Sequence, residues 1–210
     1  MILIGADVSH YQPQTFSDYV ALGFTKLLRF VADLFFRKRY CHRAVVLETV
    51  AAVPGMVAGM WSHLTSLRRM SNTYDTKIKA LLEEAENERM HLMTFVALSK
   101  PSWLERMIIL LAQAIFWNLY FVIYVFFPRT AHRITGYFEE EAVRSYTEFL
   151  HEIDCGNIQN VLAPKIAIDY WNMPQNSTLR DVVIRVKLDE ACHRDVNHTF
   201  ADEYDKGIWK

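Results

Sequence analysis

Residues 83–91 read EEAENERMH, and a related pattern returns far down the chain at residues 189–193, which read DEACH. Each stretch holds a glutamate that follows a polar residue and precedes a histidine by three positions. On a helix this spacing projects both side chains from one face, about one turn apart, so that both can reach the same metal ion. One such pair arises by chance in many helices, but two pairs indicate a metal site in a helical protein.

Two further glutamates complete a set of ligands for two metal ions. Glu48 is the single acid in the apolar stretch 44–61, where an unpaired charge would be costly, and Glu139 opens the acidic run of a later helix. A dinuclear carboxylate centre needs one glutamate from each of two helices and a Glu-x-x-His pair from each of two others. Oxygen and imidazole ligands suit iron or manganese. The predicted ligands are Glu48, Glu88, His91, Glu139, Glu190 and His193.

The alternative interpretation of residues 83–91 is a solvated acidic helix face with a few weak ion pairs. The distant repeat favours Glu88 with His91 as ligands and assigns Glu83 and Glu86 to the solvated surface. Glu84 remains open, because it lies one turn from Glu88 on the same helical face.

Composition narrows the protein class. The net charge of −1 at pH 7 gives no reason to expect a nucleic-acid partner. Cys41, Cys155 and Cys192 are widely separated and odd in number, so they indicate neither a metal motif nor a disulfide framework, and we expect a reducing compartment. The length of 210 residues favours one domain over residues 1–210, with an N-terminal arm at 1–15.

Helical periodicity dominates the chain, and strand-like alternation is scarce. We therefore predict an all-α protein: a ferritin-like four-helix bundle with a di-iron centre, plus two additional long helices. An ordered connection with one short helix near 166–171 precedes the last long helix. The long helices are predicted at residues 17–40, 43–70, 75–98, 102–126, 129–152 and 178–204.

Residues 107–127 contain no charge and are long enough to cross a bilayer. If they crossed, the Glu88 and Glu190 pairs would lie on opposite sides of the membrane and could not share a centre. We therefore predict monotopic association with one leaflet of a lipid bilayer. The first helix favours this choice because large apolar residues alternate there with Lys26, Arg29, Arg37, Lys38 and Arg39, although an ordinary packed helix with a basic end is the alternative.

Four stretches of the chain together resemble the alternative oxidases. The family consists of membrane-bound di-iron enzymes without haem, so the resemblance implies two iron ions and a cyanide-insensitive reaction. Two ubiquinols would supply four electrons to reduce O2 to water, without proton pumping. A homodimer is also implied. The stretches are LETVAAVPGMVAGM at 47–60, LLEEAENERMHLMTF at 81–95, FEEEAVRSYTEFL at 138–150 and DEACHRDVNH at 189–198.

The resemblance also implies roles for individual residues. It makes the six predicted ligands iron ligands and places Tyr146 close to the iron centre as a candidate redox participant. Asn87 and Asp189 each point about 100° away from the neighbouring ligand, so each can form a hydrogen bond with a ligand of an adjacent helix. The resemblance places Trp171 in the same network. His132 is expected to be structural. The implied quinol-binding residues are Arg29, Asp33, Arg43, Leu47, Glu141, Ala142 and Ser145.

The chain begins almost directly at the part that resembles the catalytic core. We therefore expect a bacterial protein on the cytoplasmic side of the inner membrane, with the matrix side of the mitochondrial inner membrane as the alternative. No cysteine precedes the core, so thiol regulation of the kind known in plant members is not predicted.

Two other hypotheses remain at this point. The same bundle could belong to a hydroxylase that inserts one oxygen atom into a quinone ring or an acyl chain. A non-enzyme helical protein at a membrane, with merely solvated acidic faces, would bind no metal.

Overall fold

A computed structural model describes residues 10–36 and 40–209. The predicted all-α fold is confirmed. The first predicted helix included Arg37, Lys38 and Arg39, which lie outside the described residues, as do residues 1–9 of the predicted arm. The helices are α1 (Phe16–Phe36), α2 (Tyr40–Arg69), α3 (Asp75–Ser99), α4 (Trp103–Phe126), α5 (Pro128–Asp154), α6 (Lys165–Trp171) and α7 (Leu179–Asp205).

Local signals explain where several helices begin. Ser102 forms a capping box with Glu105, and Thr178 forms one with Asp181, so that side chains satisfy the free N–H groups of α4 and α7. Pro128 starts α5, at a position where its missing N–H group costs nothing. These caps place the ends of the long helices within a few residues of the sequence prediction.

Helices α2, α3, α5 and α7 form the four-helix bundle, in which α2 packs along α3 and α5 along α7. Two apolar clusters reveal the helix directions. One contains Val45 of α2 and Phe149 of α5, and the other contains Val57 of α2 and Ala131 of α5. From the first cluster to the second, residue numbers rise along α2 and fall along α5, so the two helices are antiparallel. The predicted metal ligands occupy the layer between the two clusters.

Two glycines allow helices of the bundle to approach closely. A Cβ atom at Gly55 of α2 would lie 2.7 Å from the carbonyl oxygen of Leu81 in α3. A Cβ atom at Gly136 of α5 would lie 2.6 Å from the ring of His198 in α7. A larger residue at Gly55 would push α2 and α3 apart, and one at Gly136 would displace the His198 ring.

Helices α1 and α4 lie outside the bundle, against α5 and α2. By length and composition, α2 and α4 are each apolar enough to cross a membrane, but 61% of the most apolar window of α2 is buried, against 22% for α4. Helix α2 is therefore a core helix of the bundle. Helix α4 exposes an apolar surface that includes Leu111, Ile115 and Phe126, and α1 exposes Phe30 and Leu34.

The connection between α5 and α7 is ordered, as predicted. Ala163 N–H donates to the Ser177 carbonyl over 2.9 Å, and Leu179 N–H donates to the Val161 carbonyl over 2.8 Å. These hydrogen bonds join the segment before α6 to the segment after it, and α6 itself packs on α3. Trp171 at the end of α6 thereby reaches the side of the ligand layer.

Candidate metal centre

The structure brings the side chains of all six predicted ligands into one buried cluster. The ligand atoms of Glu48, Glu88, His91 and Glu190 lie within 4.8 Å of one another. His91 Nδ1 is 3.3 Å from Glu48 Oε2 and 3.3 Å from Glu190 Oε1. The cluster therefore joins α2, α3 and α7 at one level of the bundle.

The remaining two predicted ligands adjoin this group. His193 Nδ1 lies 2.8 Å from Glu88 Oε1 and 3.7 Å from Glu190 Oε2. Glu139 of α5 is buried near Glu190, whose negative charge helps to raise the pKa of Glu139. Each helix of the bundle thus contributes to the cluster, two with a lone glutamate and two with a Glu-x-x-His pair.

The polar atoms of the cluster fit a metal centre because many lack hydrogen-bond partners among the described residues. They approach one another closely yet have no hydrogen-bonding geometry, as expected of atoms that converge on a common cation. Buried polar atoms are normally satisfied, so the exceptions need an explanation. The unpaired atoms are Glu48 Oε2, both carboxylate oxygens of Glu88, His91 Nδ1, Glu190 Oε2 and His193 Nδ1.

The electrostatics of the cluster also favour a cation. Burial raises the pKa of Glu48 well above its usual range, and the carboxylates of Glu190 and Glu88 raise it further. The pKa of Glu139 is raised well above its usual range by the same causes. Acids packed this closely repel one another when ionised, and divalent cations would remove that repulsion.

A hydrogen-bond network holds His91 from its other side. The Asp189 carboxylate lies 3.2 Å from His91 Nε2 and accepts hydrogen bonds from Trp171 Nε1 at 2.9 Å and Asn87 Nδ2 at 3.2 Å. The Trp171 ring also stacks on His91 with centroids 5.7 Å apart. A carboxylate on the outer ring nitrogen fixes the histidine so that Nδ1 faces the cluster. The structure thus places the three predicted supporting residues together.

Tyr146 connects the cluster to a neighbouring cavity. Its hydroxyl donates a hydrogen bond to Glu48 Oε1, and its ring stacks on Phe95 with centroids 5.8 Å apart. Tyr146 is buried, and burial together with the charge of Glu48 raises its pKa well above the usual value. The phenol therefore keeps its proton and serves Glu48 as a hydrogen-bond donor.

The cavity lies between α1, α2 and α5, and its wall is mostly apolar. Glu48, Glu139 and Tyr146 form its inner end. Asp33 stands behind the wall, where its carboxylate bridges Arg29 at 2.8 Å and Arg43 at 2.7 Å. The other predicted quinol-binding residues line the cavity itself: Arg29, Arg43, Leu47, Glu141, Ala142 and Ser145.

The cavity wall contains polar groups that have no partner among the described residues. Arg43 is 4% exposed, yet its Nε and one terminal nitrogen, Nη2, make no hydrogen bond. The Thr25 hydroxyl, on the same wall, is buried and equally unpaired. Leaving such groups unsatisfied is costly, so the cavity is equipped for a ligand with hydrogen-bonding oxygens.

A model of the alternative oxidase family matches residues 3–202 of the chain. The chain belongs to the alternative oxidase family. It is 60% identical over 201 residues to "Ubiquinol oxidase, mitochondrial" of Batrachochytrium dendrobatidis, covering 96% of the chain and 63% of that protein. It is 59% identical over 198 residues to "Ubiquinol oxidase 2, mitochondrial" of Nicotiana tabacum, covering 94% of the chain and 66% of that protein.

The chain therefore spans less than two thirds of the length of these two alternative oxidase relatives. A third relative, "Ubiquinol oxidase 2, mitochondrial" of Arabidopsis thaliana, is 57% identical over 198 residues, which are 94% of the chain and 56% of that protein. The relatives are fungal and plant proteins named mitochondrial. They give no support to the expectation of a bacterial source.

The structure separates the acids of residues 83–91 as the sequence predicted. Glu83 and Glu86 are exposed and pair with Lys79 and Arg89. Glu84, which the sequence left open, is buried and accepts a hydrogen bond from Asn197. Its position on the ligand face was the signal that could have found it.

Sequence analysis missed two residues that adjoin the site. The Tyr170 hydroxyl accepts a hydrogen bond from Asn87 Nδ2 over 2.9 Å and so extends the network behind His91. Thr25 lines the cavity, but no spacing distinguished it from other threonines of an amphipathic helix. Its role depends on how α1 packs, which helical periodicity alone does not specify.

Proposed function

We propose that this chain oxidises ubiquinol and passes the electrons to O2, forming water at a di-iron centre. The observation that carries the proposal is the cavity. Its buried Arg43 and Thr25 side chains have donor groups without hydrogen-bond partners among the described residues, and Glu48 and Tyr146 form its inner end. The names of the relatives, which are ubiquinol oxidases, support the substrate. A quinol in the cavity would lie beside the buried cluster.

The six clustered residues Glu48, Glu88, His91, Glu139, Glu190 and His193 would hold two iron ions. Iron bound there would change between Fe(II) and Fe(III) and so supply electron transfer from quinol to O2 without haem. Four glutamates would balance the charge of two Fe(II) ions. Both histidines present Nδ1 to the carboxylates, and Asp189 would keep His91 in that orientation.

The residues of the cavity would bind and orient the quinol. Asp33 bridges Arg29 and Arg43 and so fixes both guanidinium groups, while Arg29 also pairs with Glu141 at 3.0 Å. The free nitrogens of Arg43 would donate to a quinol oxygen, and the apolar wall would accommodate the ring. Tyr146, hydrogen-bonded to Glu48, would hold a proton between the quinol and the metal ligands.

We also propose that the protein binds one leaflet and does not span the membrane. The cluster contains residues from α3, before the apolar helix α4, and from α5 and α7, after it. A crossing by α4 would separate Glu88 from His193, which lie 2.8 Å apart. The exposed apolar faces of α1 and α4 would enter the lipid instead.

The mitochondrial inner membrane, on its matrix side, is the location we propose, because the relatives are named mitochondrial. The single domain and the homodimer stay predictions. A row of exposed apolar residues on the outer side of α2 supports the homodimer: Met56, Met60, Leu64 and Leu67.

The experiment that tests the function is oxygen uptake by the purified, iron-loaded protein with a short-chain ubiquinol and cyanide present. We expect uptake that cyanide does not inhibit and that Arg43→Ala reduces through a higher KM. Lys26→Ala is the control, because it also removes a positive charge but at an exposed position of α1. Absence of quinol-dependent uptake by the iron-loaded protein would refute the proposal.

Isotope labelling separates the oxidase from a hydroxylase. After turnover with 18O2, an oxidase places the label only in water, whereas a hydroxylase places it in the organic product. A chain that binds no iron at all would instead support the non-enzyme hypothesis.

A further inference from the structure

A chain of buried hydrogen bonds leads from α2 to Glu84, beside the predicted metal ligands. The Tyr124 hydroxyl lies 3.5 Å from Ser62 Oγ and 3.3 Å from His132 Nε2. His132 Nδ1 lies 3.0 Å from Asn197 Oδ1, and Asn197 Nδ2 donates to Glu84 Oε2 over 2.9 Å. All five side chains are buried.

The amide of Asn197 fixes the direction of these hydrogen bonds. Its two N–H groups donate to Glu84 Oε2 and to the His193 carbonyl at 3.0 Å, so its oxygen must accept from His132. His132 therefore carries its hydrogen on Nδ1, and its Nε2 accepts from the Tyr124 hydroxyl. Burial and the positive charge of Lys77 lower the pKa of His132 well below its usual value, so the ring is neutral.

Glu84 ends the chain with one oxygen satisfied and one free. Oε2 accepts from Asn197, whereas Oε1 is buried and has no hydrogen-bond partner among the described residues. An ionised carboxylate with an unpaired buried oxygen is costly, and a proton on Oε1 removes much of that cost. Burial raises the pKa of Glu84 to about 7, against the lowering effect of His193.

Glu84 also adjoins the residues that would hold the metal ions. It lies one helical turn before Glu88, on the same face of α3. Asn197 connects it to the backbone of His193, a predicted ligand of α7. A carboxylic acid in this position can exchange a proton with the centre without being a ligand itself.

We infer that Glu84 holds a proton on Oε1 for oxygen reduction, and that Tyr124, His132 and Asn197 position it. The inference rests on the proposed function. Reduction of one O2 to two waters takes up four electrons and four protons, and oxidation of two quinols releases the same numbers. Glu84 would supply one of the four protons that O2 takes up as it is reduced to water. Asn197 would stabilise the resulting carboxylate, which would regain a proton released by the quinol.

The first test replaces the acid in the iron-loaded protein. Glu84→Gln keeps the size and the contact with Asn197 but cannot release a proton, so we expect unchanged iron content and turnover reduced about 100-fold, the scale of general acid catalysis. Glu84→Asp, which retains a carboxyl group, should recover part of the loss. Glu83→Gln is the matched control, because Glu83 is the adjacent, exposed acid.

A spectroscopic measurement reports the proton independently of turnover. Infrared spectra of the iron-loaded protein should contain a protonated carboxyl band that shifts in D2O, is absent from Glu84→Gln and persists in Glu83→Gln. The positioning role is tested with His132→Phe, which removes the donor to Asn197, and with His132→Asn, which places an N–H near the position of Nδ1. The band should shift in the first variant and return toward its original frequency in the second.

Three outcomes would overturn the inference while leaving the ubiquinol oxidase function intact. They are normal turnover by Glu84→Gln, loss of iron from that variant, which would make Glu84 a ligand, and a carboxyl band that survives the substitution. Failure of the unaltered protein to consume O2 would instead refute the proposed function. The infrared band would then still show whether Glu84 holds the proton.

Discussion

Two buried groups of charges in this protein are built in opposite ways. In the Glu/His cluster, carboxylates face one another and several polar atoms lack hydrogen bonds. In the second group, between α1, α5 and α7, every charge has a partner. Asp18 accepts from Arg129 at 2.9 Å and from Arg133 at 3.1 Å, and Arg133 reaches Asp202 at 2.5 Å.

The backbone and an aromatic ring complete the second group. The N–H groups of Gln14 and Thr15 donate to the other oxygen of Asp18, and the guanidinium of Arg133 lies 3.7 Å from the centre of the Tyr11 ring. The charges of this second group have all their partners in the protein and lie away from the cavity, which indicates a structural role. Carboxylates that face one another and lack hydrogen-bond partners favour bound cations instead, and this contrast distinguishes the functional site from the structural one.

The largest expected effect comes from removing one acid of the Glu/His cluster. Glu139→Gln should eliminate oxygen uptake and release iron, because one carboxylate of the site is lost. The unfolding free energy of the metal-free protein should change by no more than about 1 kcal/mol, because the neighbours of Glu139 are other acids. Iron analysis and denaturant titration measure the two effects. Retention of both irons would contradict the assignment of Glu139.

The opposite result is expected in the second group. Asp18→Ala leaves Arg133 buried without its central partner, which should cost about 3–5 kcal/mol of unfolding free energy. Iron content and turnover of the remaining folded protein should not change. Urea titration of the metal-free protein measures the loss, and Asp205→Ala serves as a control because Asp205 pairs with Arg129 at the exposed surface. A loss below about 1 kcal/mol would contradict a structural role.

The Glu/His cluster could be predicted from the sequence, whereas the group around Asp18 could not, and the reason is physical. Glu88, His91 and their counterparts repeat a helical spacing, and Glu48 is conspicuous in an apolar helix, so their convergence could be predicted. Asp18 and Arg133 are 115 residues apart, repeat no pattern and look like surface charges until α1 packs against α5. Tyr146 was identified only through the family resemblance, because a buried tyrosine is otherwise indistinguishable from a core aromatic.

The pH dependence of stability provides a finer test of the second group. Burial alone would raise the pKa of Asp18, but the hydrogen bonds from Arg129, Gln14 and Thr15 lower it from 3.8 to about 2. The stabilisation is therefore fully present above about pH 5 and is lost progressively as the pH falls through the folded pKa, to about pH 1. At about 1.4 kcal/mol per pKa unit, it amounts to about 2.5 kcal/mol.

Unfolding free energies of the unaltered protein and of Asp18→Asn, measured in this range, isolate the contribution of Asp18. The difference between the two proteins should shrink by about 2 kcal/mol from pH 5 to pH 2, because Asp18 is only half protonated in the folded protein at pH 2. A difference that does not vary with pH would mean that Asp18 keeps an ordinary pKa in the folded protein.

The smallest effect is expected from an acid next to the functional site that belongs to neither group. Glu86 pairs with Arg89 at 2.7 Å, but both side chains are more than half exposed. An exposed pair of this kind contributes little to stability, so Glu86→Ala should leave the midpoint of urea unfolding almost unchanged. Iron content and oxygen uptake should be those of the unaltered protein. Glu86 is only two residues from Glu88. If Glu86→Ala released iron, the site would be defined by the nearness of a charge to the centre and not by burial among unpaired acids.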